Sequence, residues 1–169
     1  MTRLRYQALA IIGGVFLADR LTKWWVESRL GLYEVYSILP GLFNFTHARN
    51  TGAAFSILAD ASPTVRLLVL IIAALGITAL LAHMLWQATG AAGGPLLTRV
   101  GLSLVLGGAF GNLYDRILYG HVTDFLQVFL GSYEWPTFNV ADSAICVGAG
   151  LLTLDALRQH RQQARVRTT

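Results

Sequence analysis

The stretch that decides the fold class is Leu67–Trp86, LLVLIIAALGITALLAHMLW, which contains no aspartate, glutamate, lysine or arginine. As a helix, about 20 such residues rise about 30 Å, enough to cross the hydrocarbon core of a bilayer. Just upstream, Ser62-Pro63 offers a side-chain cap followed by a first-turn proline, so a helix is expected to start there. Working outward, three more stretches are long and apolar enough to span, roughly 7–26, 96–114 and 138–157. Pro40, Pro63, Pro95 and Pro136 all fall between these segments or at their edges. The expectation is an all-α membrane protein of four transmembrane helices, one integral membrane domain over residues 1–169.

Composition agrees. Of the 169 residues 54% are hydrophobic and only 13% charged, where a soluble domain carries about 25% charged residues. Arg3 and Arg5 before the apolar run Ala8–Ala18 imitate a secretory leader, but the run continues through Trp24 and Trp25 and three more spans follow, which argues against cleavage. The lone Cys146 forms no intramolecular disulfide and has no CxxC or histidine partner for zinc, so it reads as a small core residue.

Charge sets the orientation. Residues 1–6, 87–99 and 158–169 hold seven arginines and no acid, whereas the loops 27–66 and 115–137 hold four arginines and six acids. Both termini are therefore expected on the cytoplasmic side. The basic tail fits anionic lipid better than nucleic acid. In the first outer loop, Tyr33–Leu39 and Leu42–Thr46 read as short strands around the turn Pro40-Gly41. In the second, His121–Leu130 puts Val122, Asp124, Leu126, Val128 and Leu130 on one face. A small extracytoplasmic β-sheet formed by the two outer loops is expected.

Ionisable groups inside spans are costly and each needs a reason. Asp19 and Lys23, four residues apart, can pair on one helix face. His83, Asp155 and Arg99 sit near cytoplasmic helix ends, where interfacial solvation suffices. Gly107 and Gly111 form a small-xxx-small ridge for close helix packing. Asn112 and Arg116 then share a face one turn apart, and Asn139 and Asp142 share the first turn of the last helix, where an acid also suits the helix dipole. Asp124 and Asp142 both fall at the outer membrane boundary with no adjacent cation in sequence. If folding brings them together, repulsion and desolvation would make them share a proton, one activating water while the other polarises a peptide carbonyl. Neither HExxH nor GxSxG occurs, and no metal or cofactor is called for.

Five segments carry a resemblance to the lipoprotein signal peptidases, the type II signal peptidases of bacterial inner membranes. They are Asp19-Arg20-Leu21-Thr22-Lys23, Asn50-Thr51-Gly52-Ala53-Ala54-Phe55-Ser56, Gly107 to Arg116, Gly120-His121-Val122-Thr123-Asp124-Phe125, and Phe138-Asn139-Val140-Ala141-Asp142-Ser143. The resemblance implies that Asp124 and Asp142 are the catalytic pair. It implies that Asn50, Gly52, Asn112, Arg116 and Asn139 shape the substrate site, with Asp19 and Lys23 supporting structure. It also implies action near the periplasmic face on a prolipoprotein already carrying diacylglyceryl on its cysteine, cut on the amino side of that residue; a monomer among membrane lipids is expected because the site uses residues from one chain. Two other functions compete. A small proton-coupled carrier would spread acids across membrane depth, and a helix-binding scaffold would use only Gly107 and Gly111.

Overall fold

A computed structural model describes residues 1–52 and 62–167. Four helices form: α1 (Arg3–Arg29), α2 (Pro63–Ala88), α3 (Leu96–Tyr119) and α4 (Val140–Arg167). Four strands lie between them: β1 (Val35–Leu39), β2 (Phe43–Asn50), β3 (Val122–Leu130) and β4 (Tyr133–Phe138). They make one antiparallel sheet in the order β1-β2-β3-β4. The expected helical bundle is present, and so is a small sheet built from the two loops expected to form it. The motif residues Ala53 to Ser56 lie outside the described residues.

The expectation of four apolar spans is met by three. α2, α3 and α4 are long and apolar enough to cross a membrane. α1 is long enough at 27 residues, but Asp19, Arg20 and Lys23 interrupt its apolar run. α3 is the centre of the bundle and packs against α1, α2 and α4. Glycine makes this possible. A Cβ on Gly107 would stand 2.8 Å from Val15 of α1, and one on Gly101 would stand 2.9 Å from the Gly148 carbonyl of α4. The small-residue ridge thus works as read, on two sides of α3 rather than one.

Local signals explain the element ends. Ser62 caps α2 by accepting the Val65 N–H at 3.3 Å, with Pro63 in the first turn. α3 does not stop near residue 114 but runs on to Tyr119, so Asp115 and Arg116 are helical rather than in a loop. It ends at Gly120, whose φ of 73° is the left-handed conformation in which glycine carries no steric penalty. That turn feeds directly into β3.

Pro40-Gly41 separates β1 from β2 as expected, with Gly41 at φ 74°. β4, which carries Pro136, is a strand beyond the three expected from the sequence. The sheet order makes β4 an edge, where a missing N–H is tolerated. Burial along β3 does not alternate: Val122, Thr123, Asp124 and Phe125 are all buried. Both faces of its first half are covered, one by α1 and α3. An aromatic stack docks the sheet on α1, with Trp25 against Phe45 at 6.0 Å and Phe45 against Phe125 at 6.4 Å.

Two smaller readings are corrected. Cys146 is exposed on α4, not in the core; in a chain where both faces of a helix are apolar, composition does not reveal which face packs. Asp155 is buried and accepts hydrogen bonds from Thr98 and from Gln159 at 2.9 Å, so interfacial water is not its only partner.

Candidate active site

Asp124 and Asp142 arrive from different elements. Asp124 sits in β3 opposite Ala48 of β2. Two residues along β2, Asn50 lies on the same sheet face and donates from Nδ2 to Asp124 Oδ2 at 3.0 Å. Asp142 is in the first turn of α4, where Asn139 is the residue before the helix. The Asp142 N–H donates to Asn139 Oδ1 at 2.9 Å, and the Asn139 N–H donates to Asp142 Oδ2 at 3.2 Å. This is a reciprocal capping box, so the reading of Asp142 as a first-turn acid is correct and incomplete. Asn139 also donates from Nδ2 to Asp124 Oδ1 at 2.7 Å. One fully buried asparagine therefore touches both aspartates.

Three asparagine amides are oriented by the same device. The oxygen of each is held by a donor, which leaves its NH2 to face a carboxylate. Gly52 N–H holds Asn50 Oδ1 at 2.8 Å. The Asp142 N–H holds that of Asn139. Lys23 Nζ holds Asn112 Oδ1 at 3.1 Å, and Asn112 Nδ2 donates to Asp142 Oδ1 at 2.7 Å. Gly52 needs its glycine: its φ is 83°, and an added Cβ would run into Leu70.

Beneath this layer lies a buried charged cluster. Lys23 Nζ is 2.8 Å from Asp19 Oδ2 and 2.7 Å from Asp115 Oδ2, and all three side chains are fully or almost fully buried. Arg20 pairs with Asp115 and lies over the Tyr114 ring at 4.7 Å. Two cations thus balance two carboxylates, which is what a dry interior requires. Asp19 does more than pair. Its Oδ1 accepts the Ala141 N–H at 3.0 Å, pinning the start of α4 to α1. Gly111 is the clearance for that carboxylate, since a Cβ there would lie 2.5 Å from Asp19 Oδ2. Thr123 anchors the other side, its hydroxyl donating to Glu27 at 2.6 Å and its N–H to Asp115 at 3.4 Å.

All nine residues singled out from the sequence meet in one connected network: Asp19, Lys23, Asn50, Gly52, Asn112, Arg116, Asp124, Asn139 and Asp142. Arg20, Glu27, Asp115 and Thr123 complete it and were not foreseen as site residues. Only the adjacency of Arg20 and Asp115 to motif residues could have signalled them. Arg116 Nη1 donates to the Asn112 carbonyl at 3.2 Å, and its charge acts on both Asp142 and Asp124. Among the described residues no cation forms an ion pair with Asp124 or Asp142.

Burial sets Asp124 apart from an ordinary carboxyl. Burial pushes Asp124 up from the ordinary 3.8 to about 7, reinforced by the charge of Asp142 and opposed by the amides of Asn50 and Asn139 and by Lys23. A carboxyl that holds its proton near neutrality can act as an acid while a neighbouring carboxylate acts as a base. The acids Asp19, Asp115, Asp124 and Asp142 gather at one end of the bundle rather than along its depth, contrary to what a proton relay across the membrane requires.

The family model for signal peptidase (SPase) II matches residues 11–158. A lipoprotein signal peptidase of Solibacter usitatus is 44% identical over 98% of this chain and 99% of its own length. That of Shewanella pealeana is 49% identical over 84% of this chain and 81% of its own. A bacterial membrane enzyme solved by the in meso method at 2.3 Å resolution superposes with a TM-score of 0.74 at 28% identity, covering 91% of this chain and 89% of that one. With most of its length matched in sequence and in fold, the chain belongs to the signal peptidase II family, a family of peptidases.

Proposed function

We propose that the protein is an aspartic endopeptidase of the bacterial inner membrane that removes signal peptides from diacylglyceryl-modified prolipoproteins, cutting on the amino side of the lipidated cysteine. The observation that carries this reading is the pair Asp124 and Asp142, joined through Asn139 and without an ion-paired cation among the described residues, with burial raising the proton affinity of Asp124. Asp142 acts as the base. It takes a proton from water as the oxygen attacks the scissile carbonyl, while protonated Asp124 donates to the carbonyl oxygen. Asp142 then gives its proton to the leaving amine while Asp124 takes back a proton from the tetrahedral intermediate's hydroxyl, and the C–N bond breaks. Asn50, Asn112 and Asn139 hold the carboxyls in place, Gly52 sets Asn50, and Arg116 supplies positive charge beside both acids. Asp19 and Lys23 support the scaffold.

The membrane arrangement follows from the same features. α1 is the fourth span: 27 residues give about 40 Å of helix, and its charges are neutralised inside the bundle by Asp115 and by one another. The arginine-rich ends support an arrangement with both termini in the cytoplasm and the aspartates near the periplasmic face. The exposed Trp24, Tyr36, Tyr133 and Trp135 suit the headgroup region, with the sheet resting on it. All site residues come from one chain, which fits a monomer in a single domain.

The test uses purified protein with a diacylglyceryl-modified prolipoprotein and an unlipidated control. Cleavage of the lipidated substrate alone, and a loss of about a hundredfold or more in folded Asp124→Asn and Asp142→Asn, is the expected result. Retained cleavage in both variants would overturn the assignment of the pair.

A further inference from the structure

α1 and α2 both pack on α3 but scarcely on each other. Between them, at the end of the bundle remote from the aspartates, runs an apolar cleft of about 230 Å³ lined by residues that include Arg5, Leu9, Ile12, Trp86 and Phe110. A second hollow of about 410 Å³ shares Ile12 and Phe110 with it and reaches Phe16 and Ile117. Thr2 closes the near end, its hydroxyl donating to the Thr89 carbonyl at 2.8 Å. From Arg5 to Phe16 along α1 is about 16 Å, close to half of a hydrocarbon core of about 30 Å. The hollows therefore run about the depth of one leaflet. A peptide helix 10–12 Å across would fill more than about 1,000 Å³ over that length, more than the two hollows offer together, so they suit an extended acyl chain.

Among the side chains that line the cleft, Arg5 carries the charge. The Arg5 guanidinium lies flat on Trp86, 3.4 Å from the ring centroid. Its Nε is buried without a hydrogen-bond partner, and no carboxylate pairs with it among the described residues. No acid occurs anywhere in residues 1–6, 87–99 or 158–169. Stacking fixes the guanidinium plane and shields one face, which leaves its edge N–H groups for a planar fork onto an anion from outside the chain.

We propose that this cleft is a binding site for an anionic phospholipid, its phosphate on Arg5 and one acyl chain laid along Leu9, Ile12 and Phe110. The proposal rests on the membrane-spanning reading of α1. It concerns a site apart from the aspartates, occupied by lipid in the resting protein. Trp86 and the arginine make the recognition selective for headgroup charge, while the cleft selects for a chain.

Native mass spectrometry of the full-length protein, equilibrated with equal phosphatidylglycerol and phosphatidylcholine, reads the site directly. The expected result is one retained phosphatidylglycerol per chain, preferred about tenfold or more. Arg5→Gln should abolish the preference and Arg5→Lys should keep part of it. Leu9→Trp, which fills the cleft without touching the charge, should lower retention of both lipids. Inorganic phosphate at millimolar concentration should not displace the lipid, since it brings no chain. Equal retention of the two lipids by the wild type, or the same preference in Arg5→Gln, overturns the proposal. So does a photo-crosslinker at position 9 that labels a signal-peptide helix in place of lipid. Thermal melting reports whether each variant folds, and flotation with vesicles reports membrane insertion separately, so a failure of the spanning reading is distinguishable.

Discussion

Replacing Asp124 with asparagine is expected to destroy cleavage and to stabilise the protein at neutral pH. Asp124 is 2% exposed, and burial raises its carboxyl from 3.8 to about 7. Because the folded state holds this proton more tightly than the unfolded chain, folding is favoured below about pH 4 and loses stability as pH rises through the window from about 4 to 7. At about 1.4 kcal/mol per pH unit, the full excursion costs about 4 kcal/mol once the group is ionised. Asparagine carries no charge and removes that slope. It also has one oxygen where the carboxylate has two, so only one of the donors Asn50 and Asn139 keeps an acceptor, a loss of about 1 kcal/mol that does not vary with pH. Above pH 7 the variant should be more stable by about 3 kcal/mol, and near pH 4 less stable by about 1 kcal/mol. Thermal unfolding of both proteins in one detergent from pH 4 to 8 measures this, since every other titrating group is common to the two. Repeating the comparison in an Asp142→Asn background removes the coupling between the carboxyls. Parallel curves, with no crossing between pH 4 and 8, would refute the claim that Asp124 is a desolvated acid kept for chemistry at the expense of stability.

Asn50→Ala removes the 3.0 Å bond to Asp124 Oδ2 that favours the charged form, so the proton should be held to higher pH. With Asp124 as the acid, the alkaline limb of the kcat/KM profile should move up by about half a pH unit or more; movement of the acidic limb alone would instead make Asp124 the base. Lys23→Met leaves Asp19 and half of the Asp115 pairing buried without an ammonium, and should cost about 3–5 kcal/mol in thermal unfolding. Adding Asp19→Leu should recover part of that loss. Gly108→Ala drives a methyl into the Ala141 carbonyl of α4, and should cost about 1–3 kcal/mol and lower kcat by displacing Asp142. Gly14→Ala, with nothing within 4 Å, is the neutral control.

How much of this was legible depended on whether a signal was local. The Ser62-Pro63 start, the Pro40-Gly41 turn and the Asn139/Asp142 spacing all act within four residues, and the structure has each of them. The nine site residues were reached by motif and spacing together. What failed was whatever depended on a neighbour distant in sequence. No local signal announces β4, whose Pro136 is tolerated because the sheet order makes that strand an edge. Cys146 looked like core because a membrane helix is apolar on every face, so the periodicity that marks the buried side of a soluble helix is missing.

α1 shows the same limit most sharply, and its reason is physical. Its apolar run is broken by Asp19, Arg20 and Lys23, the residues that lower its hydropathy below that of α2, α3 and α4. In the folded protein those charges do not face lipid. Asp19 meets Lys23 and the Ala141 N–H, Arg20 meets Asp115, and Lys23 meets Asn112. With α1 as the proposed fourth span, a hydropathy sum assigns each of them the full cost of entering hydrocarbon, although they enter a polar interior in which two cations match two acids. The segment that looks least like a span is therefore the one that carries the foundation of the site. The chain Asp19, Lys23, Asn112, Asp142 runs from α1 through α3 to α4, and it fixes an amide on one carboxyl of the pair. The geometry around the two aspartates and the weak apolarity of α1 have a single cause.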